Sequence, residues 1–254
     1  MKAFASTFIA VASSFLLAAC GGGGGGGSTP VQPQQVFANT SLAFYLPLAT
    51  GNTWTFATGG KIVDSGSHTI SCACLYNGRR SDSLDLIDPT GTYGSSFIFT
   101  KFFDGANNGV LTTVLLGTSN DHGATVSYFG TATNIGIPVM NDSPIQGQSY
   151  TNSGVTATIT SVGQTQALPD GRFVRNVATG VLTQSGAQNF TFGFAQGVGF
   201  TSVAVGTQTT NLSSFSVDVT NSASVARGTQ SERRSVATKT ASPSSLATAL
   251  SPLF

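Results

Sequence analysis

From residue 44 to residue 219 the chain is punctuated every few residues by glycine, asparagine, aspartate or proline, and the runs between are short and rich in valine, isoleucine, phenylalanine, threonine and tyrosine. That rhythm is the spacing of antiparallel strands and leaves no stretch long enough for an amphipathic helix. The polar alphabet agrees. Charged residues make up 8% of the chain and Glu232 is its one glutamate, so the Glu, Lys and Arg that normally furnish helix surfaces are scarce, while Ser, Thr, Gly and Asn fill the polar positions. An all-β domain over residues 44–220 is predicted.

The domain opens at Phe44-Tyr45-Leu46-Pro47-Leu48-Ala49-Thr50-Gly51-Asn52-Thr53-Trp54-Thr55-Phe56. Pro47 holds Leu46 extended, Gly51-Asn52 supplies a turn that tolerates positive φ, and the period of two then sets Trp54 and Phe56 on one face against Thr53 and Thr55. The aromatic face is predicted to point inward. Trp54 to Ala57 turns through Thr58-Gly59-Gly60 into Lys61 to Val63 as a first hairpin, and further strands are predicted at 83–87, 96–103, 110–116, 125–129, 155–162, 172–182, 190–194, 200–205 and 212–219. Val155, Ala157 and Ile159 alternate with threonines, and Phe215, Val217 and Val219 alternate with polar residues, so those strands have one wet face. Residues 97–103 and 110–116 carry apolar side chains on both faces. They are predicted to be central, either packed under another layer, the more usual outcome, or lining a concave apolar surface in which Phe99, Phe103, Leu115 and Phe192 would be open.

Both ends differ from this domain. Lys2 and the apolar run from Phe8 to Ala19 have the charged start and short hydrophobic middle of a secretory signal over residues 1–19, too short to span a bilayer. Leu17-Ala18-Ala19-Cys20-Gly21 resembles the lipobox of bacterial lipoproteins. That resemblance implies that Cys20 becomes a lipid-modified first residue carrying several acyl chains, palmitate among them, as stable anchoring requires. Gly21, where an aspartate would signal inner-membrane retention, implies the outer membrane of a Gram-negative envelope. An ordinary signal peptide with an incidental cysteine is the alternative. The glycines from Gly21 to Gly27 continue as a flexible linker over residues 20–43; about ten such residues reach roughly 16–19 Å. No Lys-Ser or Lys-Thr follows them, so they do not form a phosphate loop. Residues 221–254, rich in Ser, Thr and Ala without periodic apolar spacing, are predicted to be a disordered tail, with one short helical turn at 244–250.

Two parts of the domain together resemble uncharacterised exported bacterial lipoproteins. Tyr45, Pro47, Leu48, Gly51, Asn52, Trp54 and Phe56 match their opening motif of an aromatic, Pro-Leu, Gly-Asn and Trp-x-aromatic. Leu168-Pro169-Asp170-Gly171-Arg172-Phe173 and Phe192-Gly193-Phe194-Ala195-Gln196-Gly197-Val198-Gly199-Phe200 match a late turn and a Gly-Val-Gly segment, with Gly197 and Gly199 as its glycines. The resemblance implies a single curved antiparallel sheet or open barrel, similar in outline to periplasmic lipoprotein carriers. It carries no catalytic residue, and residues 61–153 match nothing in it.

Chemistry-bearing residues are few. Cys72 and Cys74, one residue apart, are open to three readings: a disulfide, two free core thiols, or a soft-metal site with His68, for which Asp64 is the nearest carboxylate. No second histidine or methionine lies nearby in sequence, so no metal and no cofactor are expected. There is no Gly-x-Ser-x-Gly elbow. His122, beside Asp121 in a Gly-flanked turn, reads as a solvated loop residue rather than a general base, and Asp82, Asp85 and Asp88 read as a solvated run, not a calcium loop. A formal charge of +1 with scattered basic residues argues against nucleic acid. The expectation is therefore a non-catalytic envelope lipoprotein, bound to the membrane through its lipid. Its partner would be an apolar or amphipathic ligand or, alternatively, an envelope protein or a structural role at the surface; a hydrolase ranks below these. Converging His and Asp side chains would favour an enzyme, a concave apolar face a ligand-binding module, and the lack of any pocket a structural protein.

Overall fold

The computed structural model describes residues 35–36, 45–104, 110–218, 233–234, 236–241 and 249–254. Cys20, the glycine run and Phe44 lie outside the described residues, as does most of the tail.

The described residues form one 16-stranded sheet. A first meander runs through β2 (Thr53–Phe56), β3 (Lys61–Thr69), β4 (Arg80–Ile87), β5 (Tyr93–Asp104), β6 (Val110–Ser119) and β7 (Thr125–Phe129). A second runs through β9 (Ser149–Asn152), β10 (Val155–Ala167), β11 (Phe173–Gln184), β12 (Phe190–Ala195), β13 (Gly199–Val205) and β14 (Gln208–Ser216). Every pairing within each meander is antiparallel, and β14 joins them by pairing with β2, Phe215 opposite Trp54. Three short strands add parallel pairings: β1 (Gln35–Val36) beside β11, β15 (Arg233–Arg234) beside β3, and β16 (Val236–Ala241) beside β7.

The sheet curls without closing into a barrel. β8 (Ile137–Asn141), between the meanders, pairs with β6 and lies alongside β9 and β10. Among the described residues no backbone ladder joins β8 to β9. Side chains bridge that seam instead. Asn141 Nδ2 donates to Tyr150 Oη (2.8 Å) and to Gln148 Oε1 (3.1 Å), Asn134 Nδ2 donates to Asn152 Oδ1 (2.9 Å), and Asn152 Nδ2 donates to the Gly136 carbonyl. Sequence patterning missed β8 because Pro138 interrupts it; the proline sits beside a register irregularity, where the missing N–H costs no regular ladder bond.

Alternation sorts the side chains as the sequence predicts in β2 and β10. Trp54 and Phe56 are buried, and Val155, Ala157 and Ile159 face the core opposite half-exposed or exposed threonines. β5 and β6 are central and buried on both faces. Phe97, Phe99 and Leu115 enter the main core, while Ile98, Val114 and Leu116 enter a second cluster on the sheet's other face with Ile70, Tyr76, Val126, Tyr128 and Ile135. Each large apolar side chain so buried contributes about 1.5–3 kcal/mol.

The tail is the main correction. Residues expected to be disordered include β15, β16 and a 3-10 turn at Ser251–Leu253, and Leu250 and Leu253 sit in the main core with no exposed surface. Thr58 Oγ1 donates to the Leu253 carbonyl at 2.6 Å and Ser95 Oγ to the Ala249 carbonyl at 3.1 Å. A Cβ at Gly60 would stand 3.0 Å from Leu253 Cα, so this glycine leaves the space that the chain end fills. Composition averaged over the tail hides two leucines that supply the docking energy.

The two segments of the sequence motif meet in the core. Trp54 Nε1 donates to the Val198 carbonyl at 2.6 Å, and its ring meets Phe200 edge-on at a centroid distance of 5.5 Å. Gly199, at φ +94°, leaves its α-hydrogen against the indole; a Cβ there would lie 2.6 Å from Nε1. Gly199→Ala therefore combines overpacking with left-handed strain, about 1–3 kcal/mol from the first and about 1–2 from the second, and should lower Tm by roughly 5–15 °C. Gly154→Ala, at φ +77° with open space around it, isolates the strain alone. Equal losses in the two variants would show that the indole contact contributes nothing.

Candidate functional site

The motif residues act as a fastener. Gly51, at φ +94°, makes the turn in which its N–H reaches the Asp64 carbonyl, and Asn52 Nδ2 donates to the Pro47 carbonyl (3.0 Å) while its Oδ1 accepts from the Asp218 N–H (2.7 Å). Tyr45, Leu48, Trp54 and Phe56 are buried. Gly197, at φ +70°, shapes the turn that offers the Val198 carbonyl to Trp54. All of these serve packing, and none points a polar group at an open cleft. Cys20 lies outside the described residues.

The space where an apolar ligand would sit is filled. Phe99 and Leu115 have no exposed surface and Phe192 has 1%, and the aromatics interlock edge-on, as in Phe97 with Phe99 and Phe192. The Phe103 side chain lies outside the described residues. An open depression of about 440 Å³ is lined by Gly163, Thr165, Phe173, Arg175 and Asn176, a largely polar set unsuited to an acyl chain.

One end of the interior is charged. On β4 the alternation that buries Leu84 and Leu86 also turns Arg80 and Asp82 inward, where Arg80 donates from Nε (3.1 Å) and Nη2 (2.6 Å) to the two Asp82 oxygens. Asp64 is buried beside this pair, and neither of its oxygens has a hydrogen bond of normal geometry. Burial first, and the neighbouring Asp82 carboxylate second, hold its carboxyl well above the usual carboxylate range, against Arg80 and the amides of Gly66 and Ala49. Further along, Lys101 Nζ donates to Thr113 Oγ1 (3.2 Å) and lies 3.4 Å from Asp142 Oδ1, which also accepts from the Tyr45 N–H. Burial outweighs their attraction, pushing Lys101 down and Asp142 up.

On the other face of β4, Asp85 and His122 converge. The turn from β6 to β7 has His122 at φ 56° and Gly123 at φ 85°, with the Ala124 N–H donating to the Asp121 carbonyl, the geometry of a type I′ hairpin. That turn folds the imidazole back over the sheet, so that Nδ1 lies 2.5 Å from Asp85 Oδ2. Ser96 Oγ donates to Asp85 Oδ1 at 2.6 Å, Tyr93 stacks on the imidazole at 4.0 Å, and Tyr93 Oη accepts from the His122 N–H. His122 is a solvated turn residue as the sequence predicts, but its ring is held by Asp85. The expectation of a solvated run fails for Asp82 and Asp85, which are buried on opposite faces because a spacing of three in a strand changes face. Asp88 alone of that run is not buried, and its Oδ1 accepts from the N–H groups of Thr90 and Thr92. The sequence signal for this pair was His-Gly in a two-residue hairpin turn.

A carboxylate facing Nδ1 places the proton there and leaves Nε2 as the lone-pair nitrogen, on a side chain 57% exposed. The arrangement orients a base but supplies no nucleophile. Ser96 Oγ faces the carboxylate, and Ser83, with no exposed surface, lies beneath Gly123.

The loop from β3 to β4 carries the cysteines. Cys72 and Cys74 are joined in a disulfide with their α-carbons 5.3 Å apart, settling in favour of the first of the three readings the sequence leaves open. Both pack with Phe102 against the second hydrophobic cluster, and Phe102 carries the Arg79 guanidinium over its ring at 4.7 Å. A three-residue ring restricts the unfolded chain so little that the bond adds roughly 1.6 kcal/mol, against about 4.7 for a hundred-residue loop. Among the described residues no three His, Cys, Asp or Glu side chains group to hold a metal ion.

Comparison with known proteins finds no family model, no curated protein and no solved structure that matches this chain.

The charged interior has a measurable signature. Asp64 and Asp142 keep their protons in the folded state at pH values where the unfolded chain has released them. The fold therefore loses stability as pH rises from the ordinary carboxylate value toward the raised folded values. Asp64→Asn, which mimics the protonated side chain, should raise the unfolding free energy from urea titration at neutral pH by on the order of 1–3 kcal/mol. It should also flatten the decline above the ordinary carboxylate range. Superimposable pH profiles for variant and wild type would contradict this origin.

Proposed function

We propose that this chain is a lipid-anchored protein of the bacterial envelope, held through Cys20 at the outer membrane, whose β domain is non-catalytic and engages an envelope protein through its outer surface. The observation that carries the choice of partner is the filled interior: Trp54, Phe99, Phe192 and Phe200 are buried to 1% exposure or less, so an acyl chain could not lie among these side chains without rebuilding the core. The Phe-rich composition that favours an apolar ligand is accounted for by packing. The Cys72–Cys74 disulfide is compatible with export to an oxidising compartment.

A hydrolase is the second reading, and the Asp85–His122 pair favours it. Its weakness is the missing nucleophile. The pair has a sufficient structural purpose, since it ties a left-handed histidine, itself costing about 1–2 kcal/mol of strain, onto a central strand.

The test is made in intact cells. Wild-type chain should label with palmitate and pellet with membranes, and amine-reactive cross-linking should trap it with one reproducible envelope protein. Cys20→Ser should lose both label and pelleting. A Cys20→Ser chain that still labels would sink the anchor. Wild type that labels but yields no cross-linked protein, and instead co-purifies with stoichiometric lipid, would sink the partner reading.

A further inference from the structure

We propose that Cys72–Cys74 is an exchangeable disulfide, a redox site that reacts with the thiols of a dithiol protein or a small thiol while the domain stays folded. Three observations converge on it. The bond spans one residue and so does little to hold the fold, which removes the usual reason for a disulfide. It lies in a surface loop: Ala73, Asn77, Gly78 and Arg79 around it are exposed, both cysteines are only half-buried, and Leu75 is 64% exposed, so an attacking sulfur and the surface bearing it can approach. The loop also has its own supports. The Ile70 N–H donates to the Arg79 carbonyl, the Gly78 N–H to the Ile70 carbonyl, and the Cys72 N–H to Asn77 Oδ1. These bonds keep the loop's shape when the sulfur bond is broken. Arg79, five residues beyond Cys74 in the same loop, holds its guanidinium over Phe102, which packs against the same cluster as both cysteines.

The exchange balances as follows. A thiolate of the partner attacks one sulfur of the pair, forming a mixed disulfide and expelling the other sulfur as a thiolate. The partner's second thiolate then attacks its own sulfur in the mixed disulfide, leaving with a disulfide of its own and releasing the second cysteine. Two electrons pass from the partner dithiol to Cys72 and Cys74, whose thiolates take up protons from solvent according to pH. With a small monothiol, two molecules supply the two electrons and leave as their dimer. The stoichiometry is one exchange per chain.

The experiment uses the full-length chain with Cys20→Ser, so that Cys72 and Cys74 are its only cysteines, and dithiothreitol and glutathione as probes. Reduction is followed by thiol alkylation and intact mass, in native buffer and in guanidinium. A bond reachable only through global unfolding is protected by about a thousandfold or more. The native bond is expected to be reduced with protection below that bound, with strand circular dichroism retained and Tm shifted by only a few degrees. Cys74→Ser, in the same background, should take up one glutathione from oxidised glutathione at Cys72 under native conditions. Protection at or above the thousandfold bound, or reduction that unfolds the domain, would overturn the proposal and make the bond structural.

Discussion

The indole N–H of Trp54 reaching the Val198 carbonyl is the contact on which the architecture depends. Trp54 belongs to the first strand of one meander and Val198 to a tight turn inside the other, so this bond and the β2–β14 ladder beside it hold the two halves of the sheet together. Its geometry needs Gly199, since any side chain there would occupy the indole's place. Around that contact the phenylalanines of β5, β12 and β13 close edge-to-face, and the curl of the sheet follows from filling the space between them.

Several of the sparse charges of this chain are spent inside, although Lys61, Arg79, Asp121, Asp170, Arg175 and Asp218 are exposed. Asp64, Arg80, Asp82 and Asp85 are all buried, the Lys101 side chain nearly so, while the exposed positions of β9 and β10 carry no charge. Buried charge is costly even when paired, so these groups lower stability relative to an apolar core. In return the Lys101–Asp142 pair, whose members stand on separate elements, favours the pairing that brings them together. A sheet this long, built from similar Ser/Thr-rich strands, is open to register slips, and a charge stranded without its partner penalises every wrong one.

What was legible in the sequence was local. Punctuation and period-two alternation marked β2, β5, β6, β10 and β11, and the Gly-Asn-Thr-Trp and Gly-Val-Gly segments drew attention to Trp54 and Gly199 without revealing that they touch. What was not legible depended on the third dimension. Asp82 and Asp85 looked solvated because carboxylates usually are, and only the strand's two buried faces reverse that. His122 was legible as a solvated turn residue, but its Asp85 partner was not, since it lies 37 residues away on a strand that the hairpin turn folds it onto. Leu250 and Leu253 carried no periodic signal, since two side chains filling a gap between Thr58 and Ser95 need none. Pro138 concealed β8 by being tolerable at an irregular position.

The central claim is that the interior is a packed core and not a carrier's cavity, and a titration of the soluble Cys20→Ser chain with a fluorescent fatty acid, read simultaneously through the probe and through Trp54 emission, tests it most directly. The account predicts no saturable probe signal and a blue-shifted Trp54 emission that stays unchanged across the titration. One-site saturation accompanied by a change in Trp54 emission would contradict it, because the ligand would then occupy the space that Phe99, Phe192 and Phe200 fill.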